Sequence, residues 1–129
     1  RIHDHAALYL SEDVVVPLSQ TATLVDRLAA HEARHGEEIF AFGHAGDGNI
    51  HLNITSQHPD HQEQMDRVAE ELLRLVLDLG GTISGEHGIG LAKRPFLPLE
   101  LAPGSIELQR RIKALFDPNQ ILNPGKIFP

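Results

Sequence analysis

Apolar positions along the chain recur in two rhythms, and each rhythm predicts an element. The run Asp13-Val14-Val15-Val16-Pro17 is β-branched and closes on a proline, which predicts an edge strand or a strand end. Leu24, Val25, Leu28 and Ala29 recur at helical spacing, with Ser19 placed to cap the helix and Gly36 to stop it. Ile50, Leu52 and Ile54 alternate with other residues at the period of a half-buried strand. After the turn His58-Pro59-Asp60, with Asp60 as expected cap, a long helix carries Met65, Val68, Ala69, Leu72, Leu75, Val76 and Leu79 on one face. Gly80-Gly81 ends it. Pro95, Pro98 and Pro103 lead to a last helix from about Ser105 to Phe116, with Leu108, Ile112, Leu115 and Phe116 inward and Asp117-Pro118 as its stop. The tail from Ile121 to Phe128 is apolar enough to dock. The order strand, helix, strand, strand, helix predicts an α+β fold, a ferredoxin-like antiparallel sheet with helices on one face.

The stretch from Ala41 to Asn53 reads as a hairpin, because Asp47-Gly48 tolerates positive φ at both turn positions. A two-residue loop there would pair Gly46 with Asn49, Ala45 with Ile50 and His44 with His51. Opposed side chains share a face with Cβ atoms about 4.5–5.5 Å apart, so two imidazoles would converge. Asn53 follows on the same face, while Ile50, Leu52 and Ile54 take the other.

Length and charge narrow the classes. A chain of 129 residues forms one domain with a sizeable core. A net charge of −7 argues against nucleic acid. No apolar run approaches the ~18 residues of a spanning helix, and there is no signal-peptide pattern. Cysteine is absent, which removes disulfides, thiolate ligands and a cysteine nucleophile and fits a cytoplasmic location. The start, Arg1-Ile2-His3-Asp4-His5, has no initiator methionine and no cap, so the chain is expected to be part of a longer protein.

Histidines carry the candidate chemistry. His44, His51 and Glu86 together would form an open metal site of nitrogen and oxygen donors, suited to Zn²⁺, Mn²⁺ or Fe²⁺; the alternative is two hairpin histidines that hydrogen-bond locally. Glu86 and His87 lie in a stretch containing Gly80, Gly81, Gly85, Gly88 and Gly90, too glycine-rich for a helix. Neighbours in an extended segment point apart, so both reach one pocket only if Gly85 and Gly88 bend the chain. Histidine titrates near neutrality, which suits His87 as a general base, against the alternative of a loop residue without a role. His31-Glu32-Ala33-Arg34-His35 matches H-E-x-x-H, but Gly36 ends the helix at once and the last turn itself favours histidine. No third ligand follows in the protease manner. The glycine stretch fits neither a dinucleotide fingerprint nor a P-loop. His3, His5, His58 and His61 read as exposed polar residues.

Three segments together resemble one family. Phe42 to Asn53 (FGHAGDGNIHLN), Gly80 to Gly90 (GGTISGEHGIG) and Ile112 to Phe128 (IKALFDPNQILNPGKIF) are similar to the C-terminal domain of FAD-linked oxidases. These are vanillyl-alcohol-oxidase-type flavoenzymes, in the branch of D-lactate dehydrogenase, the glycolate oxidase flavin subunit and D-2-hydroxyglutarate dehydrogenase. The resemblance runs from about Glu12 to the end, and makes residues 1–129 part of such a domain with the FAD-binding domain outside it. It implies a dehydrogenase that oxidises a D-2-hydroxy acid to the 2-oxo acid, inactive as this fragment alone. It also implies a divalent metal, zinc foremost, on His44, His51 and Glu86; His87 as base; Asn53 on substrate; and Asn123 and Lys126 near FAD. The partners implied are the small hydroxy acid and the FAD-binding domain of the same protein, with a peripheral membrane association through electron-transfer proteins and the oligomeric state left open. Two other classes remain: a non-flavin metalloenzyme using the same two histidines and glutamate, and a ferredoxin-like binding module without catalysis.

Overall fold

The computed structural model describes residues 6–44 and 46–129. The described residues form two compact units, divided between His87 and Gly88. The expectations for His3 and His5, and the pairing of Ala45, fall outside the described residues.

In the first unit β1 (Leu8–Val15), α1 (Thr21–His35), β2 (Glu38–His44), β3 (Asn49–Ser56) and α2 (Gln62–Asp78) follow one another. The three strands make an antiparallel sheet in the order β1-β3-β2. This is the expected α+β arrangement, and it puts the alternating strand in the middle. Ile50, Leu52 and Ile54 of β3 lie buried with Val14 of β1. Met65, Val68, Ala69, Leu72, Leu73 and Val76 of α2, Leu24 and Leu28 of α1, and Val16 and Ile83 from the connections complete the core. Burying each large apolar side chain contributes about 1.5–3 kcal/mol, so this one layer of helix on sheet accounts for most of the unit's hydrophobic stabilisation. The other sheet face, with Tyr9, Ser11, Asp13, Phe42, His51 and Asn53, is where a ligand can reach the strands.

Several local expectations change. Ser19 does not cap α1: a single 3-10 turn, Leu18–Gln20, precedes the helix and Gln20 takes the cap position without a side-chain hydrogen bond. Val25 and Ala29 are exposed, because the stripe that meets the sheet narrows to Leu24 and Leu28. Gly36 ends α1 as expected, its N–H donating to the Glu32 carbonyl. For α2 the cap position is His61 rather than Asp60.

The hairpin register also differs. His44 pairs with Asn49, Gly43 with Ile50 and Phe42 with His51, so four positions rather than two separate the last paired residues. Two contacts explain the longer loop. Asp47 Oδ1 accepts the N–H of Asn49 at 2.9 Å, a side-chain turn, and the Gly48 carbonyl accepts Val16 N–H at 3.1 Å, which draws the loop to β1. Gly48 has φ +76°, and a Cβ there would stand 2.1 Å from the Val16 carbonyl oxygen, so no other residue fits. A slip of two residues, unlike a slip of one, leaves every side chain on its original face. His44 and His51 therefore still share a face, but as diagonal rather than direct neighbours.

In the second unit α3 (Leu97–Glu100) and α4 (Pro103–Phe116) lead to the tail. Leu108, Ile112, Leu115 and Phe116 of α4 are half or more exposed, contrary to the inward placement expected, and Ile106 is the buried residue of that helix. So short a unit buries little of its own apolar surface. The tail does not dock by its apolar side chains as expected, since Ile121, Leu122 and Ile127 are exposed; it is held instead by the Asp117 carboxylate, which accepts the N–H groups of Ile121 and Leu122 at 2.9 and 3.1 Å and pairs with Lys113. The Lys113 hydrogen bond, against a smaller opposing effect of burial, holds the Asp117 carboxyl below the usual carboxylate range, and the two N–H groups add to it.

Candidate metal and catalytic site

The site is built from the centre of the sheet outwards. β1 sets Asp13 directly opposite His51 on β3. Asp13 is almost wholly buried, and its Oδ2 accepts three successive backbone N–H groups, from Gly85, Glu86 and His87, at 2.9, 2.8 and 2.9 Å. Three donors converging on one anionic oxygen wrap the glycine-rich segment around the carboxylate. This bend is what lets neighbouring side chains that would point apart in a strand face one cleft. Gly85 is required here, since a Cβ would lie 2.7 Å from both Asp13 Oδ1 and Asn49 Oδ1.

The bend brings chemistry together. His51 Nε2 stands 3.5 Å from Glu86 Oε1, and His87 Nε2 lies 3.9 Å from the same oxygen. The rings of His51 and His87 stack at 5.2 Å between centroids. On its far side His51 Nδ1 is 3.7 Å from Asp13 Oδ1, so a carboxylate stands behind the imidazole and a carboxylate in front. Asp13, His51, Glu86 and His87 each offer a donor atom within 4.8 Å of the others. His44, on the same sheet face one pair further along, has its ring 6.5 Å from that of His51 and stays outside that convergent group.

A cleft of about 270 Å³ opens over these groups, lined also by Tyr9, Phe42 and Asn53. Asn53 is buried and its Oδ1 accepts the Tyr9 hydroxyl at 2.6 Å, which leaves its amide N–H₂ as the group to meet a ligand. Glu86 and His87 are more than half exposed at the rim, where an entering molecule meets them first. A larger cavity, about 410 Å³, belongs to the second unit; Lys126 and Arg110 line it, and Lys126 Nζ donates to Asn123 Oδ1 at 3.2 Å. Among the described residues it holds no comparable set of converging donors.

Asp13 and Tyr9 are the residues that sequence reasoning missed. Asp13 was legible as one of two adjacent carboxylates at the head of a β-branched run, on the opposite parity to Val14, but nothing local names a partner more than seventy positions away. The helix motif has a second surprise. His31 and His35 meet Glu71 of α2, at 2.9 and 3.3 Å, so a third donor is present after all. Glu32 faces elsewhere and accepts the N–H of Ile39 at 3.2 Å. His58 is exposed as expected, whereas His61 is half-buried, 3.5 Å from Glu37.

Residues 2–127 match the family described as FAD linked oxidases, C-terminal domain, and the chain belongs to it. It is 41% identical over 119 residues to the glycolate oxidase subunit GlcD of Bacillus subtilis strain 168, an alignment covering 91% of this chain and 25% of that protein. A D-lactate dehydrogenase of Archaeoglobus fulgidus is 44% identical over 119 residues, covering 89% of this chain and 26% of the relative. The D-2-hydroxyglutarate dehydrogenase of Stutzerimonas stutzeri strain A1501 is 38% identical over 124 residues, with 90% and 26% covered. The chain thus spans about a quarter of the length of these relatives. No helix among the described residues is long and apolar enough to cross a membrane.

Proposed function

We propose that this chain is the substrate-binding part of an FAD-dependent dehydrogenase that oxidises a D-2-hydroxy acid, of the lactate, glycolate or 2-hydroxyglutarate class, to the 2-oxo acid. The observation that carries the reading is the convergence of His51, Glu86 and His87 around the buried Asp13, in a chain of this family. Bound FAD supplies the hydride acceptor, and a domain outside this chain holds most of it. Asn123 and Lys126 are the residues here that would meet it, a reading supported by the cation-lined cavity beside them.

By donor type, though with His44 outside the convergent group, His44, His51 and Glu86 suit a divalent ion. His51 and Glu86 face one another, neither donor is sulfur, and His44 shares their side of the sheet. These three would hold the ion, zinc in preference, and the ion supplies Lewis acidity toward the substrate's hydroxyl and carboxylate. His87 takes the hydroxyl proton on an imidazole nitrogen as the α-hydrogen leaves with its electron pair. Asn53 donates from its amide to a substrate oxygen. Asp13 touches no substrate; it holds Glu86 and His87 in place and backs His51. The exposed apolar side of α4 supports contact with the FAD-binding part of the same protein.

The test is His87→Ala in the complete flavoprotein. Turnover of the 2-hydroxy acid should fall by about 10²–10⁴-fold, the usual contribution of a general base, with FAD content unchanged. Turnover within a few fold of the unmodified enzyme would overturn the assignment.

A further inference from the structure

We propose that His31, His35 and Glu71 form a second divalent-cation site, for Zn²⁺ or an ion of similar borderline character, which ties α1 to α2. The histidines occupy positions i and i+4 on α1, the spacing that puts two imidazoles on one helix face. Glu71 reaches them from the neighbouring helix, so three donors come from two elements that pack together. Its Oε2 lies 2.9 Å from Nε2 of His31 and 3.3 Å from Nε2 of His35, and all three donor atoms fall within 4.8 Å of one another. Bonds of about 2.0–2.1 Å in a tetrahedron set neighbouring donors about 3.3 Å apart, close to the spacing found.

The arrangement is poorly satisfied as a set of hydrogen bonds. One carboxylate oxygen faces two ring nitrogens, and His35 Nε2 is buried with no hydrogen bond among the described residues. A cation between the three atoms satisfies all of them. The two rings now stack nearly parallel, with centroids 4.2 Å apart and 20° between planes. A turn about χ2, a broad torsion in histidine, aims both nitrogens at the ion. Nitrogen and oxygen donors without sulfur select zinc over softer ions.

The same geometry says what the site does not do. In the helix motif of metalloproteases the glutamate beside the first histidine activates water, but Glu32 is committed to the backbone of Ile39. The helix also stops at Gly36, one residue after the second ligand. The ion here is a clamp between helices, on the layer that covers the apolar side of the sheet, and is separate from the cleft chemistry proposed above.

Zn²⁺ binding to the complete protein, by equilibrium dialysis with elemental analysis, tests this beside His35→Gln, Glu71→Gln and His51→Ala variants. His35 and Glu71 are partly exposed, so these two substitutions leave the core intact. Each should lose one equivalent of zinc that His51→Ala retains, or weaken it at least tenfold. Zinc should also raise the thermal midpoint of His51→Ala and fail to do so when His35→Gln is added. Zinc content unchanged in both His35→Gln and Glu71→Gln, or lost in His51→Ala alone, overturns the proposal, and either result leaves the flavoenzyme reading to its own test.

Discussion

Replacing Asp13 by alanine removes one oxygen that three backbone N–H groups share. Those bonds, from Gly85, Glu86 and His87, are 2.8 to 2.9 Å long and converge on a side chain that is 1% exposed. A hydrogen bond to a charged acceptor is worth about 1.5–3 kcal/mol net, and a neutral one about 1 kcal/mol. One oxygen divides its two lone pairs among three donors and the segment is open to water on the side of Glu86 and His87, so the set counts as somewhat under two bonds at the low end, about 2–3 kcal/mol. Tenfold per 1.4 kcal/mol turns this into local opening about 30- to 150-fold more frequent. Amide hydrogen exchange reads it directly. Exchange at Gly85, Glu86 and His87 should accelerate by that factor in Asp13→Ala, while amides of α2 change less. Asp13→Asn keeps an oxygen in place but makes it neutral; such bonds are roughly half as strong, so about tenfold faster exchange is expected. Exchange at these amides within twofold of the unmodified protein, in both variants, would refute the carboxylate's role as the anchor of the segment.

Three further outcomes follow from the packing and the charges. Gly85→Ala puts a Cβ 2.7 Å from two short side chains held in the interior, Asp13 and Asn49, and should cost about 1–3 kcal/mol by denaturant titration, with loss of protection at Glu86 and His87. Leu72→Ala, at a site with no exposed surface, should cost about 2–5 kcal/mol in the same measurement while leaving those amides protected. Asp117 gives a pH dependence: its carboxyl is lowered in the folded protein, first by the Lys113 hydrogen bond, so its stabilisation is present above the ordinary carboxylate range and is lost as pH falls through the lowered value. Amide signals of Ile121 and Leu122 should report release of the tail in acid, and Asp117→Asn should remove that acid step; an unchanged step would assign it to another group.

What the sequence determined by itself was local. β-branched runs, period-two alternation at Ile50, Leu52 and Ile54, and the stripe from Met65 to Val76 specify strands and helices through contacts a few residues apart, and Gly36 and Gly80 end helices through their own backbone freedom. The face assignment of the hairpin was equally legible, since parity survives a slip of two residues. The register itself was not: it depends on Val16 N–H reaching the Gly48 carbonyl, a contact between separate strands. Asp13 became an anchor only through the antiparallel pairing that sets β1 beside β3 and returns the chain to it after α2. Burial of α4 likewise depended on what lies against it, because a helix pattern states which residues share a face and not whether anything covers them. Tertiary structure decided these points because each needs two segments, distant along the chain, at one place in space.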